Sequence, residues 1–329
     1  MIDTFHYTLP QKMIARFPLK NREEAKLLLV SKKTGDLQEY IFRDLPSLLS
    51  SKDLLLLNNA KVVNARLRGR KRSGGKAELF LLHKTGKEWT VLLRGNLKEG
   101  DRVLIGPMEV AIGPRRDDGT SIVEFPISER ELFALGEVPL PPYLKRMPVE
   151  EDSEWYQTVY AKNEGALAAP TAGLHFTESV MNALEKRGVQ RAFLTLYLGW
   201  ASFKILKGSE ESVPEESYVI PKETIEEIYR TKERGGRIIA VGTSTVRALE
   251  SHAKRLEQTE QLQKTDLFIK PGFTFSLVDA MITNFHLPGS THLSMVCAFG
   301  GEKYIRSAYD FAVSHDYRFY SYGDAMIIL

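Results

Sequence analysis

Apolar residues follow two different patterns along this chain of 329 residues. The run "LLLL" at 54–57 is continuously hydrophobic and ends at Asn58 and Asn59. A short run of this kind, closed by turn residues, is typical of a strand that is buried on both faces. Because such a strand needs cover on each side, it favours an α/β main domain.

Residues from about 65 to 140 follow the second pattern, in which short alternating or apolar stretches are separated by turns. The stretches are "AELFLLHK", "EWTVLLRG", "DRVLIG", "MEVAIG" and "TSIVEFP". Strands of this length, spaced by about 8 to 12 residues, predict a small antiparallel β-barrel or sandwich. We therefore predict a barrel domain at 65–148, inserted between two parts of the main domain at 1–64 and 149–329.

The stretch "VPLPPYLKRMP" at 138–148 would return the chain to the main domain, and its four prolines in eleven residues predict an extended, stiff linker. Beyond it, helical patterns alternate with the apolar strands "FLTLYLG" and "RIIAVG". The helix "TESVMNALEKRG" has Thr177 as its N-cap, "KETIEEIYRTKERG" is a second helix, and Thr243 or Ser244 is expected to cap "TSTVRALESHAKRL".

Charge and cysteine content narrow the class of protein. Lys and Arg number 45 against 42 Asp and Glu, and the net charge of +3 does not by itself indicate a nucleic-acid-binding protein. Cys297 is the single cysteine, which excludes an intrachain disulfide and a cysteine-held cluster. Without a signal-peptide pattern or 18 consecutive apolar residues, we expect a cytoplasmic protein with no membrane partner.

Three stretches combine polar groups in a way that suits a small-molecule site. In "IIAVGTSTVRALES", a strand meets a helix whose free N–H groups and hydroxyls would hold a carboxylate or phosphate, or the turn is only an ordinary capped helix. In "MITNFHLPGSTHLSMVCAFGG", polar side chains surround a Pro-Gly turn, as in a cleft or a plain loop. The aromatic "YRFYSYGDAMIIL" suits a cationic or base-containing ligand, or core packing.

A basic stretch is the candidate for contact with RNA. "NARLRGRKRSGGK" at 64–76 concentrates cations that suit a phosphate backbone, although a charged run is commonly only a solvated face. The predicted RNA-binding residues are Arg66, Arg68, Arg70, Lys71 and Arg72. The two histidines in the "MITNFHLPGSTHL" stretch have the spacing H-x5-H, which matches metal sites poorly, so we predict no metal.

Taken together, the segments resemble one family, the S-adenosylmethionine:tRNA ribosyltransferase-isomerases of queuosine biosynthesis. The likeness runs through "YTLPQKMIARFPLKNREEAKLLLV", "LLLLNNAKVVNARL", "PLPPYLKR", "YQTVYAKNEGALAAPTAGLHFT", "AVGTSTVRALES", "TDLFIKPGFTF", "TNFHLPGSTHL" and "YRFYSYGDAM". It implies an α/β main domain with an inserted β-barrel. It also implies transfer and isomerisation of the ribosyl moiety of S-adenosylmethionine onto 7-aminomethyl-7-deazaguanine in tRNA, which gives epoxyqueuosine and releases adenine and methionine.

The resemblance also implies the partners and the chemistry. S-adenosylmethionine is a co-substrate, tRNA is the other partner, no metal or further cofactor takes part, and we expect a monomer. Because the sulfonium acidifies the ribose C5′ hydrogens and adenine leaves more easily when protonated, the reaction needs a base and an acid. By residue type the catalytic candidates are His175, His286 and Asp324, and the resemblance does not assign their roles.

His175 ends the stretch "AAPTAGLH", and its local sequence alone favours a packed core histidine over a catalytic one. The family match favours a place for it beside S-adenosylmethionine. The residues expected to bind this co-substrate are Pro170, Thr171, Gly173, Leu174, Gly242, Thr243, Ser244, Thr245, Arg247, Asn284, Ser290, Arg318 and Tyr322.

The chain departs from the family pattern in one neighbourhood. Tyr197, Glu211 and Pro214 stand where the family has histidines, while Glu216 keeps the family glutamate. Tyrosine is a poor base at neutral pH, because its reference pKa is about 10. Two hypotheses follow: a working ribosyltransferase-isomerase, or a catalytically impaired or repurposed relative that keeps a ligand- and RNA-binding pocket.

Overall fold

The computed structural model describes residues 6–200, 213–254 and 261–329. Its α-helices are α1 (Leu45–Leu48), α2 (Glu129–Ala134), α3 (Asp152–Trp155), α4 (Glu178–Lys186), α5 (Lys222–Glu233), α6 (Thr243–Ala253), α7 (Thr291–Gly300) and α8 (Glu302–Ser314). Short 3-10 helices cover Gln11–Met13, Arg22–Glu24, Phe42–Asp44, Pro142–Leu144 and Thr171–His175. The strands are β1 (Lys26–Val30), β2 (Leu37–Ile41), β3 (Leu54–Asn58), β4 (Ala60–Val62), β5 (Arg66–Lys71), β6 (Lys76–Thr85), β7 (Glu88–Arg94), β8 (Arg102–Ile105), β9 (Met108–Ala111), β10 (Ser121–Glu124), β11 (Asn163–Ala166), β12 (Gln190–Leu196), β13 (Glu216–Val219), β14 (Ile238–Val241), β15 (Gln263–Thr265), β16 (Ala280–Asn284) and β17 (Ala325–Ile328).

One large mixed sheet has the strand order β15-β13-β12-β3-β14-β16-β17-β1-β2. At its centre, β12, β3, β14 and β16 are neighbours that run parallel. Every residue of β3 is buried, which confirms the strand predicted from "LLLL". The carboxyl ends of these parallel strands therefore meet at one edge of the sheet.

The side chains of β3 explain its continuous apolar run. Leu54 and Leu56 pack into a core with α5 to α8, whereas Leu55 and Leu57 pack into a second core with α1 and α4. Since successive side chains of a strand point to opposite faces, such a run fits a strand between two helical layers. The α/β layering and the Thr177 N-cap of α4 are both as predicted.

Strands β5 to β10 form a separate antiparallel sheet in the order β10-β7-β6-β5-β8-β9. Its inward side chains build a core of their own, which includes Leu67, Val91 and Val103. Beyond β9, the Gly113 N–H donates to the Ile122 carbonyl of β10 at 2.8 Å, so the two edges meet and the sheet is nearly closed. The antiparallel strands predicted here are all present.

The proline-rich segment at 138–148 differs from its prediction as a linker. Val138 and Leu144 are buried in a small core with Tyr156, and Pro142–Leu144 forms a 3-10 turn. The apolar residues between the prolines are stabilised by burial, so the segment packs against the protein and is only partly extended. The prediction of an extended linker therefore holds only in part.

Candidate active site at the carboxyl ends of the central strands

A pocket opens where the central parallel strands end. Its lining comes from residues after β12 and β14, from the end of β16 and the segment up to the first turn of α7, and from 168–172 before α4. The other lining residues are Pro141, Tyr143, Tyr156, Tyr320 and Ser321. Ligands of open α/β sheets bind at this edge. The predicted site residues that line the pocket are Pro170, Thr171, Gly242, Thr243, Ser244, Asn284, His286 and Ser290.

The turn from β14 into α6 forms one wall. Gly242 is the N-cap with φ +88° and no side-chain cap, and its N–H donates to the Ile282 carbonyl at 2.8 Å. The prediction that Thr243 or Ser244 caps α6 was wrong, because the positive φ at the cap favours glycine and both hydroxyl residues lie in the first turn. With no side chain covering its first N–H groups, this helix end can attract an anionic group.

Asn284 connects three parts of the site. Its Oδ1 accepts a hydrogen bond from the Thr171 hydroxyl at 3.0 Å, and its Nδ2 lies 3.2 Å from both the Tyr320 carbonyl and His175 Nε2. This amide orientation is consistent with the network, because a carbonyl and a neutral imidazole nitrogen both accept hydrogen bonds. Thr171, Asn284 and Tyr320 line the pocket, whereas His175 lies behind Asn284.

His175 is buried, with 4% of its surface exposed, and its ring packs on Phe42 at a centroid distance of 5.0 Å. Burial, followed by the charges of Arg318 and Arg22, lowers the pKa of His175 to about 3. Its imidazole is therefore neutral at physiological pH and can accept the hydrogen bond from Asn284. His175 is therefore packed in the core, and it also contacts Asn284 in the pocket wall.

The neutral state of His175 makes stability sensitive to acid. Its pKa of about 3 in the folded protein lies below the value of about 6.5 in an unfolded chain, so the unfolded chain binds more protons between these pH values. The free energy of unfolding therefore falls as pH drops below about 6.5, by up to about 1.4 kcal/mol per pH unit for His175. We expect His175→Gln to remove about this much of the slope in urea unfolding between about pH 6 and pH 4. A slope equal to the wild-type slope would contradict a neutral buried His175.

His286 and His292 face the pocket from the loop after β16 and from the first turn of α7. Their rings are stacked with centroids 5.3 Å apart, and His286 Nε2 lies 2.7 Å from the Thr283 hydroxyl. Burial lowers the pKa of His292 to about 4 and the pKa of His286 well below its ordinary value. Both rings are therefore uncharged at neutral pH.

Tyr320 has an unusual backbone and a prominent place in the pocket. Its φ of +72° is rare for an aromatic residue, and its ring stacks on Tyr143 at 4.6 Å. The Tyr143 hydroxyl lies 2.5 Å from Ser321 Oγ. Within the described part of the chain, the buried Tyr320 hydroxyl has no hydrogen-bond partner. Backbone strain at a pocket wall is typical of functional residues.

A second cavity adjoins the pocket, and His292 lines both. Arg247 lines the second cavity and forms an ion pair with Glu216, whose Oε1 accepts a hydrogen bond from the Gly199 N–H at 2.9 Å. Burial lowers the pKa of Arg247 to about 10, so its guanidinium is still charged at neutral pH. Glu216, where the resemblance implies a retained glutamate, is thus the partner of a buried cation.

Other predicted binding residues do not line the pocket; they are Gly173, Leu174, Thr245, Arg247, Arg318 and Tyr322. The Thr245 hydroxyl donates to the Val241 carbonyl at 2.7 Å, and the Tyr322 hydroxyl donates to Asp152 at 3.2 Å. A side chain at Gly173 would place its Cβ 2.0 Å from the Tyr160 hydroxyl, so this glycine allows close packing. These residues therefore lie outside the pocket lining, and their contacts stabilise the segments around the pocket.

Asp324 also lies away from the pocket lining. Its carboxylate accepts hydrogen bonds from the main-chain N–H groups of Lys26 and Arg318 at 2.8 and 2.7 Å. Burial raises its pKa. These contacts join the beginning of β1 to the segment before β17, and the acid-base role of Asp324 stays a prediction.

Some lining residues were not expected from the sequence, namely Tyr143, Thr283, Tyr320 and Ser321. His292 belongs to the quoted histidine motif but was not chosen as a site residue. Tyr143 lies in a proline-rich stretch that resembles a linker, and no local pattern marks it. For Tyr320, the aromatic C-terminal motif was the available signal.

The cations predicted to bind RNA lie on and beside β5. Arg70 and Arg72 are exposed. Four of the five cations have a carboxylate oxygen between 2.6 and 3.6 Å away: Arg66 with Glu78, Arg68 with Glu137, Lys71 with Asp101 and Arg72 with Glu109. Much of their charge is therefore balanced locally, and RNA binding by this cluster stays a prediction.

The positions where family histidines are replaced lie outside the pocket lining or outside the described residues. The Tyr197 N–H donates to the Ser217 carbonyl at 2.9 Å, Pro214 is exposed, and Glu211 is not among the described residues. In the described ranges, no group of three or more His, Cys, Asp or Glu side chains could hold a metal ion. None of the described helices has the length and apolar character needed to cross a bilayer.

Comparison with known proteins agrees with the sequence motifs. A family model described as "Queuosine biosynthesis protein" matches residues 2–328. The S-adenosylmethionine:tRNA ribosyltransferase-isomerase of Thermotoga maritima is 45% identical over 337 residues, which cover 100% of this chain and 99% of the relative. The enzyme of the same name from Thermoanaerobacter sp. is 43% identical over 338 residues, which cover 99% of this chain and 98% of the relative.

A solved structure extends the likeness to the fold. The crystal structure of S-adenosylmethionine tRNA ribosyltransferase from Thermotoga maritima has a TM-score of 0.60 and 38% identity, and the match covers 99% of each chain. The resemblance inferred from the sequence is confirmed, and the chain belongs to the queuosine biosynthesis protein family.

Proposed function

We propose that this protein is an S-adenosylmethionine:tRNA ribosyltransferase-isomerase, the activity named for its relative from Thermotoga maritima. It transfers and isomerises the ribosyl moiety onto 7-aminomethyl-7-deazaguanine in tRNA, giving epoxyqueuosine, adenine and methionine. The observation that carries this proposal is the pocket, which is lined by the stacked rings of His286 and His292 and by the stacked rings of Tyr143 and Tyr320.

The charge of the pocket suits S-adenosylmethionine. No Asp, Glu, Lys or Arg occurs among the described residues that line it, and its two histidines are neutral. The sulfonium therefore meets aromatic faces and hydroxyl oxygens without repulsion from a fixed positive charge in the lining. The methionyl carboxylate has suitable donors in the free N–H groups at the beginning of α6.

Neutral imidazoles can also transfer the protons that the reaction needs. His286 keeps a ring-nitrogen lone pair at neutral pH, and its hydrogen bond with Thr283 orients the ring. We assign it removal of the acidified C5′ hydrogen. The proton that His286 then carries, by way of His292 stacked beside it, is the one that protonates the departing adenine. The pocket thus offers two proton-transfer groups beside one cationic substrate.

His175 acts through Asn284 and is a positioning residue. We expect His175→Ala to slow adenine release about tenfold, because small displacements of groups at the site lower the rate. The pH dependence of turnover should stay as in the wild type. Loss of one limb of the pH–rate profile would instead make His175 a proton-transfer group, and near-normal turnover in a folded variant would remove it from both roles.

The test of the proposed function is a direct assay. Purified protein is incubated with S-adenosylmethionine and tRNA bearing 7-aminomethyl-7-deazaguanine, and both adenine release and the mass of the modified nucleoside are measured. Adenine release together with the mass of epoxyqueuosine supports the proposal. Binding of S-adenosylmethionine without adenine release favours the alternative, an impaired or repurposed relative, which the replacement of family histidines at Tyr197, Glu211 and Pro214 motivates.

We further propose the domain division 1–64, 65–148 and 149–329, with 65–148 as an inserted β-barrel. The separate sheet of β5 to β10 with its own core supports this division. We also propose that the protein works as a monomer in the cytoplasm, needs no metal or cofactor besides its co-substrate, and contacts tRNA partly through the exposed cations beside β5.

A further inference from the structure

A second basic surface lies close to the pocket. Gln11, Lys12, residues 14–18 and Arg318 line a groove, and none of these residues is acidic. Lys12 and Arg16 are exposed. In the described part of the chain, no carboxylate oxygen lies within 4.0 Å of the charged groups of Lys12, Arg16 or Arg318. Four of the five cations beside β5 have a carboxylate within this distance of their charged groups, whereas these three have none among the described residues.

An aromatic ring and a free donor accompany these cations. Phe17 is 46% exposed, and the Arg146 guanidinium lies 4.2 Å from its ring centroid. Arg318 donates a hydrogen bond through Nη2 to the Phe17 carbonyl, while its buried Nη1 has no hydrogen-bond partner among the described residues. Cations beside an aromatic face are the elements that bind single-stranded nucleic acid.

Backbone pairing places the groove directly beside the pocket. Ile14 pairs with Phe319, and the Phe319 N–H donates to the Met13 carbonyl at 2.8 Å. On either side of Phe319, Arg318 lines the groove and Tyr320 lines the pocket. A strand of RNA in the groove would therefore lie next to the pocket mouth.

We propose that this groove binds the single-stranded loop of the tRNA substrate, with Lys12 and Arg16 on phosphates and Phe17 against a base. The proposal rests on the proposed function, because an enzyme that modifies a base must hold the flanking backbone while that base enters the pocket. The groove has the required charge, aromatic surface and position.

The test measures binding of tRNA that bears 7-aminomethyl-7-deazaguanine over a range of salt concentrations. The double variant Lys12→Ala/Arg16→Ala should bind about tenfold more weakly, and the slope of log K against log salt should fall by about 1.4, because each phosphate contact in a single strand contributes about 0.7. The KM for S-adenosylmethionine should not change. Phe17→Leu should weaken binding by about 5- to 100-fold, whereas Phe17→Trp keeps a stacking surface and should bind as the wild type does.

The matched control removes one Lys and one Arg elsewhere. Lys186 and Arg187, at the end of α4, are exposed and line neither the pocket nor the groove. Lys186→Ala/Arg187→Ala should keep the wild-type affinity and salt slope. If Lys12→Ala/Arg16→Ala bound the tRNA with wild-type affinity, or if the control lost as much affinity, the proposal that the groove binds RNA would be overturned.

The experiment separates the groove from the proposed function. If wild-type protein binds the tRNA but releases no adenine, the proposed function fails. The salt dependence of tRNA binding then still shows whether the groove binds RNA. If wild-type protein releases adenine while Lys12→Ala/Arg16→Ala binds the tRNA as the wild type does, only the proposal that the groove binds RNA fails.

Discussion

The His286→Asn variant is expected to release adenine at least about 100-fold more slowly than the wild type, because positioned acid-base groups contribute about 10²- to 10⁴-fold. Asparagine keeps polar atoms that can bond to the Thr283 hydroxyl but cannot exchange a proton near neutral pH. Affinity for S-adenosylmethionine should change little, because replacing a neutral imidazole removes no charge from the pocket. The measurement is the single-turnover rate of adenine release, with the equilibrium affinity determined separately.

A second histidine provides the matched control. His83 Nε2 lies 3.1 Å from the Thr90 hydroxyl in the six-stranded sheet, a contact similar to that between His286 and Thr283 at 2.7 Å. His83 does not line the pocket. His83→Asn should therefore keep the wild-type turnover. A folded His286→Asn variant with normal turnover would exclude His286 as a proton-transfer residue.

The Glu216→Gln variant is expected to lose about 3–5 kcal/mol of unfolding free energy. The side chains of Glu216 and Arg247 are 4% and 14% exposed, and removing one charge leaves the other buried without compensation. Urea unfolding at neutral pH measures the loss. The double variant Glu216→Gln/Arg247→Met should regain part of this stability, because it removes the isolated cation as well.

An exposed ion pair provides the comparison. Glu226 and Arg230 pair on α5 at 3.1 Å, with side chains 44% and 62% exposed. Glu226→Gln should therefore change the unfolding free energy by less than about 0.5 kcal/mol. If Glu216→Gln were no more destabilised than Glu226→Gln, the buried pair would make no special contribution to stability.

Much of the fold could be predicted from local patterns. The run at 54–57 indicated a strand covered on both faces, the strands between 76 and 126 were recognised, and Thr177 was identified as a cap. Each of these features depends on residues near one another in sequence. The cap of α6 was missed because the positive φ of Gly242 is decided jointly by the strand before it and the bond to Ile282.

The sequence predicted which motifs form the site but not the contacts between their residues. The stretches around Thr171, Gly242 and Asn284 do meet in one pocket. Local sequence could not place His175 behind Asn284, because the contact joins residues separated by 109 positions. Nor could it show that most cations beside β5 have carboxylate partners while Lys12 and Arg16 have none, since ion pairing depends on neighbours from other strands.

The sequence by itself determined the family, the two classes of sheet and the motifs that supply the chemistry, because periodicity, caps and motif order are properties of neighbouring residues. Only the tertiary structure decided which histidines face the pocket, which one supports it from behind, and which cations are left without carboxylate partners. Those features depend on burial and on contacts between distant segments, and the order of strands in the folded sheet brings these segments together.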